Sequence, residues 1–346
     1  MAVVYLSLIL EIFALSVISK TQYKYKKFFP YIIMLSLSMV MGLRYNVGID
    51  YPVYEEVFND PYSWHRDSME KIWLISMDSL RSLSFKARMF FFLTSLLYVY
   101  GYYIGFKRLS PQIYLSFIIF IAIGTYGEGS NTIRQTCAQA VLFAGSYYFL
   151  NNKWKKFFPY ALCAVFLHFS ALIGLFLMWI CRVKVKSWIL YSVLVLSFIA
   201  GPILMNKLLS LLTAVLIVIN KYQYSPDSFD PGVSTGTLRI FYTLIGVVMV
   251  LLSQKIDKRK LPAWFFISLN LVVIGIVIYN IFYLFLPVNR LNKYCLPFLT
   301  ILFPIICTKI KRPSRYIIEG TVISGFLLFY LKALVSTYYD FDIYFL

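Results

Sequence analysis

FFPYALCAVFLHFSALIGLFLMWI, residues 157–180, is an apolar run interrupted near its middle by His168 and Ser170. A transmembrane helix needs about 20 apolar residues, so the run reads first as one span. Its flanks resist that reading. Lys153, Lys155 and Lys156 precede it and Arg182, Lys184 and Lys186 follow it, with no acidic residue among them. Lysine and arginine accumulate on the cytoplasmic side of membrane proteins. Two half-helices of about 12 residues, each about 18 Å long, would keep both clusters on that side by turning back near His168-Phe169-Ser170. Non-helical backbone at such depth is tolerated only where it is buried in protein or lines a wet cavity. The single-span alternative puts the second cluster outside and inverts the rest of the chain; the charges favour the re-entrant hairpin.

Outward from this run, composition agrees. Hydrophobic residues make up 60% and charged residues 14% of the 346, and mean hydropathy is +0.73. This excludes a soluble domain and predicts a single all-α integral membrane domain over 1–346. The net charge of +18 needs no nucleic-acid partner, because basic cytoplasmic loops account for it. Spans are expected at 2–19, 28–43, 89–106, 112–126, 132–150, 188–207, 238–253, 262–285, 291–308 and 316–333, about 10 in all. The first has no basic region before it and reads as a retained helix. Lys20, Lys24, Lys26 and Lys27 then fall inside, which makes 44–88 a large external loop and 221–237 a second one. Within the first loop, 69–85 has apolar residues at Ile72, Ile75, Leu80 and Leu83, as an amphipathic helix lying in the interface would. Residues 208–220 suit a second such helix. Cys137, Cys163, Cys181, Cys295 and Cys307 have no metal or redox spacing and read as small apolar residues.

The polar residues gather at the mouths of these runs. Arg44 is followed by Gly48, Asp50, Tyr51, Pro52 and Tyr54. Gly48 permits a tight turn, and Pro52 favours an extended course at Asp50-Tyr51. An arginine fork binds phosphate oxygens, and a nearby carboxylate can orient it or act as a base. An interfacial Arg–Asp pair with tyrosine anchors explains the same residues. Glu128 precedes a helix on which Asn131, Gln135 and Gln139 recur every four residues beside Arg134. That stripe suits either an anion at the helix N-terminus or a polar helix contact. His168 lies inside an apolar run, where ionisable groups are costly, about 2.5–3.5 kcal/mol, and tend to be functional. A lone histidine there also suits hydrogen-bonded packing. Arg290 and Tyr294, four apart at an external helix end, suit phosphate or sugar, with Arg239 just behind them. His65, Glu11 and Glu319 read as loop or packing residues. No nucleotide-binding or hydrolase signature is present.

Three elements in order carry a family resemblance: Arg44-x3-Gly48-x-Asp50-Tyr51-x2-Tyr54, Asn131-x2-Arg134-Gln135, and His168-Phe169-Ser170-Ala171-Leu172 after Lys155-Lys156-Phe157. The chain resembles the EpsG family of bacterial Wzy-type polysaccharide polymerases. Glu70 in the first loop and Arg290-x3-Tyr294 fit less specifically. The resemblance implies a multipass enzyme of the bacterial inner membrane with its active face outside. Its reaction would join undecaprenyl-pyrophosphate-linked oligosaccharide repeat units for surface polysaccharide. Arg44, Arg134 and Arg290 would stabilise the leaving pyrophosphate, and His168, Asp50 and Glu128 are the candidate bases. Tyr51, Tyr54, Asn131, Gln135, Arg239 and Tyr294 complete the expected substrate site. No metal or other cofactor is expected. The expected partners are the lipid-linked donor and acceptor, membrane lipids and a chain-length regulator. A lipid-linked oligosaccharide flippase is the rival, but it would be wet along its whole axis, whereas here charge gathers at one face. A membrane acyltransferase fits the external arginines less well.

Overall fold

A computed structural model describes residues 2–328 apart from 23–24, 49, 219–234, 284, 312–314, 317, 322 and 326–327. Among the described residues the secondary structure is helical with no strand, as expected of an all-α polytopic membrane protein. Six helical segments are long and apolar enough to cross a membrane: Val4–Thr21, Ala87–Leu109, Ser187–Met205, Leu238–Lys255, Phe265–Phe282 and Arg290–Lys309. Phe29–Gly42, Ile113–Ala122 and Ala171–Ile180 are apolar but shorter. The expected span at 316–333 falls in part outside the described residues, as does most of the loop 221–237.

The chain expected to form one domain groups into two compact units. The first is Met1–Leu172 with Ile310–Leu346, and the second is Ile173–Lys309. In the first, helices α1 (Ala2–Thr21), α2 (Phe29–Gly42), α3 (Tyr51–Asn59), α4 (Lys71–Ser82), α5 (Ala87–Leu109), α6 (Ile113–Ala122), α7 (Thr125–Glu128), α8 (Ile133–Leu150) and α9 (Trp154–Leu167) follow one another. α5 is packed between α2 and α8, and α8 between α5 and α9. The sequence makes the α5–α8 approach close. Gly101 and Gly105, one helical turn apart, face Ala140 and Phe143, and a Cβ at either would collide with them. Small residues at this spacing let membrane helices meet backbone to backbone.

Helix α4 lies where the amphipathic pattern put it, but it packs through a different face. Trp73 and Met77 are buried, whereas Ile75 and Leu83 are 65% and 67% exposed. The helix thus has two apolar sides, one against protein and one free. Ion pairs hold the loop around it: Arg66 to Asp78 at 2.6 Å and Arg81 to Asp78 at 2.7 Å.

Several expectations change. Asp50 and Tyr51 do not run extended: Asp50 is in the right-handed helical region and Tyr51-Pro52 open α3, since proline suits a first helical turn. The span 112–126 is cut at Gly124, whose φ of +79° ends α6. Residues 208–218 do not start an interfacial helix; they continue α11 (Ser187–Val218) without a break. α10 (Ala171–Ile180), α11, α12 (Thr235–Lys255), α13 (Phe265–Phe282), α14 (Leu286–Asn289) and α15 (Leu299–Lys309) include the helices of the second unit. Its 291–308 segment is not one α-helix, because two short 3-10 helices, Arg290–Tyr294 and Leu296–Phe298, precede α15.

Candidate functional site

The apolar run 157–180 breaks where the charges required. α9 ends at Leu167, His168 is extended at φ −162° and ψ 124°, and α10 begins at Ala171. The break leaves the Leu167 carbonyl without a helical partner. Trp73 supplies one: its indole Nε1–H donates to Leu167 O at 2.7 Å. A side chain of α4 thus caps the helix end beside the histidine, and Glu70, the residue just before α4, reaches the imidazole. Glu70 Oε1 lies 2.5 Å from His168 Nδ1. Its other oxygen, Oε2, accepts from Arg134 Nη1 at 2.6 Å. Arg134 also donates from Nη1 to the Ser68 carbonyl at 2.9 Å and from Nε to the Tyr54 hydroxyl at 3.3 Å.

One carboxylate therefore joins an imidazole and a guanidinium, each drawn from a different segment. Burial alone would raise the Glu70 pKa. The His168 hydrogen bond and the Arg134 charge outweigh it and bring the carboxyl down to about 2. An ionised Glu70 accepts at Oε1, which assigns a proton to Nδ1 and leaves Nε2 as the ring nitrogen turned away from the carboxylate. Nε2 and Arg134 Nη2 have no hydrogen-bond partner among the described residues, and neither is sealed from solvent. Burial raises the Tyr54 phenol, with Arg134 acting against it. The cluster thus holds an oriented imidazole and an open cationic donor side by side. Among the described residues no three His, Cys, Asp or Glu side chains gather as metal ligands would.

The other residues of the expected site take the following positions. Arg44 is 2% exposed, and its fork is used on backbone: Nη1 to Met41 O at 2.5 Å, Nε to Val47 O at 3.2 Å and Nη2 to Ser130 O at 3.3 Å. Its charge sits 5.1 Å from the Phe91 ring centre, on which Tyr51 stacks at 4.3 Å. Arg44 is thus held on backbone carbonyls, and Tyr51 is packed against Phe91. Gly48, at φ +102°, lies so close to the Ser130 carbonyl and Asn131 that no side chain fits. The loops around Gly48 and Ser130 are thereby stitched together. Asp50 is the residue before α3, and Glu128 ends α7. Gln135 and Gln139 are buried, while Arg134 turns to α3 and α4, so the polar stripe does not share a face with it. Arg239, Arg290 and Tyr294 belong to the second unit. Arg290 and Tyr294 lie on a 3-10 helix, where residues three apart eclipse and residues four apart do not. Tyr294 is 6% exposed.

Fold and cluster together define a multipass helical membrane protein with a histidine, a glutamate and an arginine assembled beside a helix break. A family model described as the EpsG family matches residues 27–345, and the chain belongs to that family. EpsG is a family of Wzy-like polymerases, which fits a polysaccharide-polymerase role for the chain. No characterised protein sequence and no solved structure matches it.

Proposed function

We propose that this chain polymerises glycan repeat units carried on a polyprenyl pyrophosphate, at the external face of a bacterial inner membrane. The observation that carries the reading, beside family membership, is Glu70 shared between His168 and Arg134. In this reading His168 Nε2 removes the proton of the acceptor hydroxyl. That oxygen forms a bond to the donor's anomeric carbon as the bond from that carbon to the pyrophosphate oxygen breaks. Arg134, through Nη2, meets the charge that gathers on the departing pyrophosphate. Glu70 keeps the proton on Nδ1 and stabilises the imidazolium that forms, as a carboxylate does in a hydrolytic triad. Tyr54 and the Ser68 carbonyl fix the arginine. The side on which this happens follows from the charges: Lys20, Lys24, Lys26 and Lys27 inside put 44–88 outside, and a run 157–180 that enters and leaves on one face keeps the later basic clusters inside.

The test is the surface glycan of a strain lacking this chain, complemented with wild type, His168→Gln or Glu70→Gln. Polymer with wild type and single-repeat material with either variant is expected. No surface glycan in the deleted strain would make the chain a flippase. Long polymer from normally folded His168→Gln would move the base to Asp50 or Glu128.

A further inference from the structure

Arg134 is held by three acceptors on three different elements. Tyr54 is in α3, Ser68 ends the 3-10 helix Trp64–Ser68, and Glu70 is the residue before α4. What fixes these elements to one another is a second shared carboxylate, Asp78 of α4. Its Oδ2 accepts from Arg66 Nη2 at 2.6 Å and its Oδ1 from Arg81 Nη2 at 2.7 Å. Each arginine gives its other terminal nitrogen to α3. Arg66 Nη1 donates to the Val57 carbonyl at 3.1 Å, and Arg81 Nη1 donates to the Phe58 carbonyl at 3.0 Å. Both carbonyls lie in the last turn of α3, where carbonyls have no partner within the helix. Arg66 belongs to the 3-10 helix and Arg81 to α4. The one carboxylate thereby joins α4 to the other two elements.

The Asp78 side chain is 42% exposed, and ion pairs so open to water contribute little to stability. Position is what such a pair of forks does supply, because an arginine's planar donors set direction as well as distance. We propose that Asp78 is a positioning residue for Arg134. Through Arg66 and Arg81 it holds Tyr54, Ser68 and Glu70 at the spacing that occupies Arg134 Nε and Nη1 and leaves Nη2 open. Asp78→Asn removes the anion between two guanidinium groups, which then repel each other, and the elements that carry Arg134's acceptors part. That the arginine so placed serves glycan transfer rests on the polymerase reading; the placement does not.

The chain has two histidines, so His65→Gln leaves His168 alone, and the NMR signals of its ring nitrogens read the Glu70 contact without turnover. In that background, in detergent and with a histidine-free tag, Asp78→Asn should melt close to its parent yet shift the His168 signals in the same direction as Arg134→Gln. Added to Arg134→Gln it should shift them no further, because residues that act through one another are not additive. Polymer made per protein in the deleted strain should fall at least about tenfold in Asp78→Asn, again with no further fall beside Arg134→Gln. Unmoved His168 signals in Asp78→Asn, or a shift that adds in full to that of Arg134→Gln, overturns the proposal. A shift without loss of polymer upholds the placement and takes Arg134 out of the reaction. If Asp78→Asn does not accumulate, Arg81→Gln, which frees the Phe58 carbonyl and leaves Asp78 to Arg66, decides by the same comparison.

Discussion

Glu70 has two oxygens and gives one to each of two partners. Glu70→Gln keeps its size but removes the charge and offers an amide that can force the wrong tautomer on His168. Polymerisation should fall at least about tenfold, and on the order of 10²–10⁴-fold in His168→Gln. Chain-length profiles at equal protein level check both. The same carboxylate makes a pH prediction. Its folded pKa, about 2, lies below the ordinary 4.5, so its contribution is full above about 4.5 and is lost as pH falls toward 2. The melting-temperature gap between wild type and Glu70→Gln in detergent should therefore narrow between pH 6 and pH 3. A constant gap would mean that the carboxylate is not paired in the folded state. The arginines separate in the same way. Arg44→Lys loses its fork on three carbonyls and should lower melting temperature and abundance, whereas Arg134→Lys should fold normally and polymerise poorly. The reverse pattern would exchange their roles.

Among the elements, α4 has most to do with the site while crossing nothing. Trp73→Phe retains the edge-to-face contact with Phe90, whose ring centre is 6.0 Å away, and deletes the bond to the Leu167 carbonyl. A buried acceptor left unanswered costs about 1–3 kcal/mol. The variant should melt lower than wild type and lose activity, because the freed helix end is where His168 is held. A wild-type melt would show that water replaces the indole. The helices themselves were legible in the sequence, since hydropathy summed over about 20 residues needs no partner to be read. The break at His168 was legible from charges alone. The partner of His168 was not: Glu70 lies 98 residues away in sequence, and only tertiary structure brings them together. Its single trace was a glutamate in the first loop. The place of Arg44 was not legible, because a buried fork on carbonyls and an open fork for phosphate call for the same residue. The Arg290–Tyr294 spacing misled because it assumed α-helical periodicity where the backbone is 3-10.

At the scale of the whole molecule, the distribution of charge sets a topology that labelling can check. In a cysteine-free background, single cysteines at Trp154, Lys184 and Asp257 should resist an impermeant thiol reagent in intact cells, and one at Asp60 should react. Labelling at 184 and 257 would make 157–180 one span despite its break. The loop 44–88 is tied to the transmembrane bundle by Arg134 on the Ser68 carbonyl, Glu70 on His168 and the Trp73 indole on a helix end. The last tie gives the molecule an optical signal of its own. Of its six tryptophans, Trp73 is 4% exposed, and its indole is bonded to the carbonyl of Leu167, the residue before the proposed base. With the other five replaced by phenylalanine, its emission reads whether this contact holds: blue while Trp73 stays buried, shifted red if the contact opens.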